Sequence, residues 1–175
     1  MHLNFEFKAT HANIAEAEKI LLALNPVFIG EDHQIDTYFN VPSGRLKLRE
    51  GTIENALIFY QRSNTAAAKQ SDVTLYKHSR NEDLKESLAT ALGIKIVIDK
   101  RRRIYFIENV KFHFDTVLQL GDFIEVEAID PTGEIGIDKL KEQCKTYQAL
   151  FGIAEDSFIA ESYSDLLLAK KSSFD

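Results

Sequence analysis

Apolar and polar residues alternate along much of this chain in short runs, and the polar half of several runs is charged. From Leu3 to Lys8, Phe5 and Phe7 alternate with Asn4, Glu6 and Lys8, which predicts a strand with one apolar and one polar face. Ile35 to Phe39 repeats the pattern with Asp36 and Tyr38 on one face. Arg45 to Arg49 is the strictest case, with Arg45, Lys47 and Arg49 opposite Leu46 and Leu48. At about 3.3 Å per residue those three cations span roughly 13 Å, and like charges so arranged repel unless an anion lies across them. Pro42-Ser43-Gly44 supplies the turn that makes these two strands a hairpin. Further strands are predicted at Ala56 to Arg62, Val73 to His78, Lys95 to Asp99, Arg102 to Ile107, Val110 to Leu118 and Phe123 to Ile129.

Helical periodicity is confined to a few places. Ile14, Ala17, Ile20, Leu21 and Leu24 form one stripe, capped by Thr10 or Asn13 and ended at Asn25-Pro26. Glu82 to Leu92 is a second helix, closed by Gly93, and Asp138 to Phe151 a third, ended by Gly152. Tyr163 to Ala169 is a short amphipathic segment, and Ser63 to Asp72 reads as a loop. Strand, helix and then several strands occur in each half, which suggests a two-fold pseudo-repeat of elements.

Eight or nine strands with few helices give an α+β class with a largely antiparallel sheet. Charged strand faces cannot be buried cheaply against an apolar layer. A closed or nearly closed barrel resolves the conflict, with a wet, charged interior and an apolar outside covered by helices.

Composition limits the partners. The chain has 175 residues, 45% hydrophobic and 27% charged, and is expected to form one domain over residues 1–175. The net charge of −6 argues against a nucleic acid partner but permits a local basic cavity. No apolar run reaches membrane-span length and the start lacks a signal pattern, so no membrane partner and a cytoplasmic location are expected. The single cysteine, Cys144, excludes an intrachain disulfide, and the histidines show no zinc spacing.

The later strands carry the chemistry. Glu125 and Glu127 share a face about 7 Å apart, with Ile124 and Val126 behind them. Paired carboxylates of this kind suit Mg2+ or Mn2+, which take oxygen ligands. Lys111, His113 and Asp115 share another face, and the run Lys100 to Arg103 groups Lys100 with Arg102 and Arg101 with Arg103.

Taken together, Asn4-Phe5-Glu6-Phe7-Lys8, Asp36-Thr37-Tyr38, Leu46 to Glu50, Tyr60-Gln61-Arg62, Lys100 to Tyr105 and Leu120 to Glu127 resemble the CYTH superfamily over nearly the whole chain. The Leu-Gly-Asp-Phe run and the ending Ser162 to Leu167 are most similar to the bacterial class IV adenylyl cyclase branch, whose relatives include thiamine and inorganic triphosphatases. The resemblance implies an antiparallel tunnel binding ATP, thiamine triphosphate or tripolyphosphate with Mg2+ or Mn2+. It also implies that Glu6, Glu125 and Glu127 hold metal, with Asp115 a weaker candidate. Lys8, Lys47, Arg49, Lys100 and Arg102 would hold phosphates, joined by Arg62 and by Arg45 of the basic strand. Glu6, Lys8, Arg49, Glu125 and Glu127 form the expected catalytic set, and the cyclase branch implies a homodimer. One departure stands out: the first glutamate of the family pattern is Asn4 here, a neutral donor. Cyclisation of ATP, hydrolysis of a triphosphate and binding without turnover follow as three readings.

Overall fold

The strand patterns join into one sheet, and the apolar face that carries Phe7, Phe112, Phe114, Ile124 and Val126 is covered by helices. A computed structural model describes residues 3–61 and 72–173. Its strands are β1 (Leu3–Thr10), β2 (Val27–Phe39), β3 (Arg45–Glu50), β4 (Asn55–Gln61), β5 (Asp72–Lys77), β6 (Ile94–Ile107), β7 (Val110–Val117) and β8 (Gly121–Asp130). They pair antiparallel in the order β1-β8-β7-β6-β2-β3-β4-β5. The sheet curls into a half-barrel, so that β1 at one edge and β5 at the other line the same cavity of about 810 Å³. The helices are α1 (Ile14–Leu22), α2 (Glu82–Leu92), α3 (Ile137–Leu150) and α4 (Tyr163–Ser172). The order β-α-β-β-β occurs twice, through β4 and then through β8.

The convex side is the expected apolar one. Phe7, Ala9, Phe112, Phe114, Ile124, Val126 and Ala128 pack with Ala17 and Leu21 of α1 and with Leu140 and Cys144 of α3. Asn13 is the cap of α1, its side chain accepting from the Glu16 N–H at 3.2 Å. No described helix is long and apolar enough to cross a membrane.

Three details differ from the sequence expectation. The strands predicted at Lys95 to Asp99 and Arg102 to Ile107 are one strand, β6, running straight through the four cations. Parity sends Lys100 and Arg102 inward, where both are buried, and leaves Arg101 exposed outside. Charge on both faces hid the alternation. β2 starts at Val27 instead of Ile35, because its first half bears exposed apolar side chains and buried polar ones, the reverse of the usual signal, with an irregularity of register at Gly30.

The third difference is α4. Helices were expected outside, yet α4 docks on the concave side: Tyr163 and Leu167 pack against Ile96, Ile98, Val117 and Phe123, which share the inward face of β6, β7 and β8. A capping box at Ser162 and Asp165 starts this helix. It can lie there because that end of the interior is aromatic and aliphatic, not charged.

Candidate functional site

The cavity is built by inward parity on neighbouring strands. β1 contributes Asn4, Glu6 and Lys8, β8 contributes Glu125 and Glu127, β7 contributes Lys111 and His113, β6 contributes Lys100 and Arg102, and β3 contributes Lys47 and Arg49. Register then sets which groups oppose one another. Lys8 lies opposite Glu125, Lys111 opposite Glu127, and Arg49 opposite Asp36, all complementary pairs. Glu6 and Glu127 also face each other directly, a like-charge juxtaposition that is unfavourable by itself.

Two buried aspartates hold the cations in place. Asp36 on β2 accepts from Arg49 Nε at 2.9 Å and Nη2 at 3.0 Å, from Lys47 Nζ at 3.1 Å and from Lys100 Nζ at 2.7 Å. Burial alone would raise its pKa, but Arg49, Lys100 and Lys47 outweigh that and hold the carboxyl well below its usual range. Lys100 feels the same burial from the other side: desolvation draws its ammonium down to about 7 against the pull of Asp36.

Asp115 on β7 is the second anchor. It takes Arg102 through one guanidinium edge, from Nε at 2.6 Å and from Nη2 at 2.5 Å, and accepts the Tyr163 hydroxyl at 2.7 Å. Arg102 also reaches Glu125 at 2.7 Å. Asp115 was a weaker metal candidate in the sequence; here it has no exposed surface and does not line the cavity, so a metal there would have to displace a bidentate guanidinium. Its position points to orienting Arg102.

The remaining expected residues divide as follows. Arg45 has the inward parity of β3, but it stands at the end covered by α4, donates to Asp165 at 2.7 Å and lies outside the main cavity. Arg62, and the loop assigned to Ser63 to Asp72 up to residue 71, lie outside the described residues. Asn4 is in the site: its amide nitrogen donates to Glu127 Oε1 at 2.7 Å. Glu125 sits between Arg102 and the His113 ring, 3.4 Å from Nδ1. Burial, helped by Arg102, lowers the His113 pKa and keeps that ring neutral. Among the described residues no three His, Cys, Asp or Glu side chains already converge as a metal-holding group.

Several participants are not among the site residues that the resemblance implies. Lys111 shares its face with His113 and Asp115, so parity marked it, although no motif did. Glu54 comes from the turn after β3 and accepts from Lys111 at 2.6 Å and from Arg49 at 3.1 Å. A residue in a turn has no periodicity to give it away. Tyr163 places its ring 4.4 Å from Lys8 Nζ and 5.7 Å from Lys100 Nζ, and only the docking of α4 reveals that.

This geometry can be set beside known proteins. No curated protein matches the chain in sequence. Among solved structures, the PH1012 protein of Pyrococcus horikoshii superposes with a TM-score of 0.78 at 20% identity, covering 95% of this chain and 99% of that one. A proposed adenylate cyclase of Vibrio parahaemolyticus gives 0.77 at 16% identity, covering 94% and 97%. A Hippeastrum protein, proposed as an adenylyl cyclase and described by a dominant triphosphatase activity, gives 0.63 at 13% identity, covering 98% and 96%. Identities this low establish a shared fold. The CYTH domain family matches residues 2–163, almost the whole chain, and the cationic, carboxylate-edged half-barrel described above is built from that matched segment. The chain belongs to the CYTH domain family.

Proposed function

We propose that the protein processes an organic triphosphate in this cavity with Mg2+ or Mn2+, and that its reaction is conversion of ATP to cyclic AMP and pyrophosphate. The observation that carries the proposal is the division of one cavity into three parts. Lys8, Lys47, Arg49, Lys100 and Arg102 form a cationic arc, Asn4, Glu6, Glu125 and Glu127 an oxygen-rich edge, and Ile58, Val73 and Leu75 an apolar wall on β4 and β5. The arc suits a chain of phosphates, and the apolar wall leaves room for an organic group that bare tripolyphosphate lacks. A volume of about 810 Å³ is in the range of small-molecule sites.

The carboxylate edge fits a hard divalent cation. Glu6 and Glu127 oppose each other across strands, and a cation between them would relieve that repulsion, with Glu125 adjacent. Such an ion would stabilise charge developing on the phosphates. The protein's own part is positioning and charge: the arc holds the β- and γ-phosphates as the leaving pyrophosphate while the ribose 3′-hydroxyl attacks the α-phosphorus. Asp36 holds Lys47, Arg49 and Lys100 in place beforehand and Asp115 holds Arg102, so little reorganisation of these four is needed when substrate enters.

Hydrolysis is the second reading, favoured by the triphosphatase activity described for the Hippeastrum protein of the same fold. Incubation with ATP, thiamine triphosphate and tripolyphosphate, each with Mg2+ or Mn2+, tests both. Cyclic AMP and pyrophosphate from ATP are expected. Orthophosphate together with the matching diphosphate, and no cyclic AMP, would replace the first reading by the second, and no product from any of the three would leave a binding module.

Asn4 bears on that last outcome. Changing Asn4 to Glu adds a carboxylate beside Glu127, and Mn2+ affinity is expected to rise about tenfold because one more full charge faces the ion. The metal-free variant should melt lower than the wild type, since four carboxylates then crowd one edge. A Mn2+ titration and a melting curve check both. Equal Mn2+ affinity in the two proteins would place Asn4 outside any metal shell.

A further inference from the structure

The turn between β3 and β4, residues 51–54, is fixed by a single buried carboxylate. Asp32 on β2, fully buried, accepts the backbone N–H of Ile53 at 2.8 Å and of Glu54 at 3.0 Å, together with the Thr52 hydroxyl at 3.0 Å. Gly51 packs so closely that a Cβ there would stand 2.6 Å from Asp32 Oδ1 and 2.6 Å from the Glu54 carbonyl oxygen. The turn therefore has little freedom, and it directs Glu54 into the cavity.

There the Glu54 carboxylate crosses the concave face. Oε1 accepts from Lys111 on β7 at 2.6 Å; Oε2 accepts from Arg49 on β3 at 3.1 Å and from Gln34 on β2 at 3.1 Å. Strands β6 and β2 lie between β7 and β3 in the sheet, so the contact spans its curvature. Burial would raise the pKa of this carboxyl, but Lys111 and Arg49 outweigh burial and lower it, so it is an anion at neutral pH.

A carboxylate that takes an ammonium on one oxygen and a guanidinium on the other occupies the position those cations would offer to two phosphate oxygens. We infer that Glu54 is an internal counter-anion that fills the anion subsite between Arg49 and Lys111, so that an entering triphosphate must compete with it for these two cations. The inference rests on the proposed triphosphate site and deepens it in two ways. Lys111 becomes a phosphate ligand whenever Glu54 is displaced, and Glu54 becomes a determinant of how tightly and how far a phosphate chain is held.

Calorimetric titration with tripolyphosphate in EDTA separates this from a supporting role for Glu54, because without divalent ions the carboxylate edge contributes only repulsion. E54Q is expected to bind about tenfold more tightly than the wild type, since one negative charge beside the phosphates is removed. E54A should shift in the same direction, which guards against a peculiarity of the amide. Adding K111M to E54Q should return affinity towards the wild-type value, and melting curves confirm that each variant is folded. If Glu54 merely braces Arg49 and the turn, both single variants bind more weakly; that result, or equal affinity in E54Q and wild type, overturns the inference and leaves the triphosphate site standing. Absence of binding in the wild type and all variants would overturn the site and the inference together.

Discussion

Replacing Asp36 by Asn is expected to lower the unfolding free energy by about 3–5 kcal/mol, the range for removing one partner of a buried ion pair. Asp36 is almost wholly buried and serves Lys47, Arg49 and Lys100 at once. The amide would keep the shape but withdraw the charge. Lys100, already drawn down to about 7 beside Asp36, then loses its proton and its ion pair, while Lys47 and Arg49 lose the counter-ion they share with it. Arg49 retains Glu54, so its share of the loss is smaller. Urea unfolding at neutral pH measures the effect, and a change below about 1 kcal/mol would mean that the network is not held by Asp36.

The same residue predicts a pH dependence. Its folded-state pKa is depressed below the unfolded value of 3.8, so its contribution is fully present above about pH 4 and is lost as pH falls through the folded-state value. Asp115 and Glu125 are depressed in the same direction, against burial, chiefly by Arg102. Stability should therefore fall steeply in acid, and Asn at position 36 should flatten part of that slope.

Much of this architecture is legible in the alternation of residues. β1, β3, β7 and β8 each put apolar side chains on one face and mostly polar ones on the other, and a charged face with an apolar reverse is what a curled sheet with a wet interior requires. Parity puts Glu6, Lys8, Lys47, Arg49, Glu125 and Glu127 on the polar faces that line one cavity, and Lys100 with Arg102, the pair that the resemblance implies and parity alone leaves open, lines it too. β6 and the first half of β2 were harder to read, because Arg101 outside and Arg102 inside, or Val27 exposed and Asp32 buried, cancel the usual contrast. The role of Asp36 as a shared counter-ion, the recruitment of Asp115 by Arg102 and the arrival of Tyr163 on the concave face depend on neighbours far away in sequence. Local pattern has no term for them. Arg45 shows the converse: its parity was right, but its place along the strand put it under α4 and beside Asp165.

Changing Arg49 to Ala is expected to weaken triphosphate binding by about 1.5–3 kcal/mol, roughly ten- to 150-fold, the value of charge-assisted hydrogen bonds lost from one guanidinium. Arg49 is held by Asp36 through Nε and Nη2, which leaves its Nη1 edge towards the cavity, at present engaged by Glu54. An arginine so placed meets a phosphate without paying much side-chain entropy on binding. The loss should be larger than for Lys47, whose ammonium is a point charge resting near the rings of Tyr38 and Tyr60.

Calorimetric titration of the wild-type protein and of Arg49→Ala with ATP in the presence of Mn2+ tests the cationic arc most directly. A single saturable site in the wild type, weakened at least tenfold in the variant while the melting curve still shows a folded protein, is the result predicted. Equal affinity in the two proteins, or no wild-type binding of ATP, thiamine triphosphate or tripolyphosphate, would contradict the assignment of this cavity as a triphosphate site.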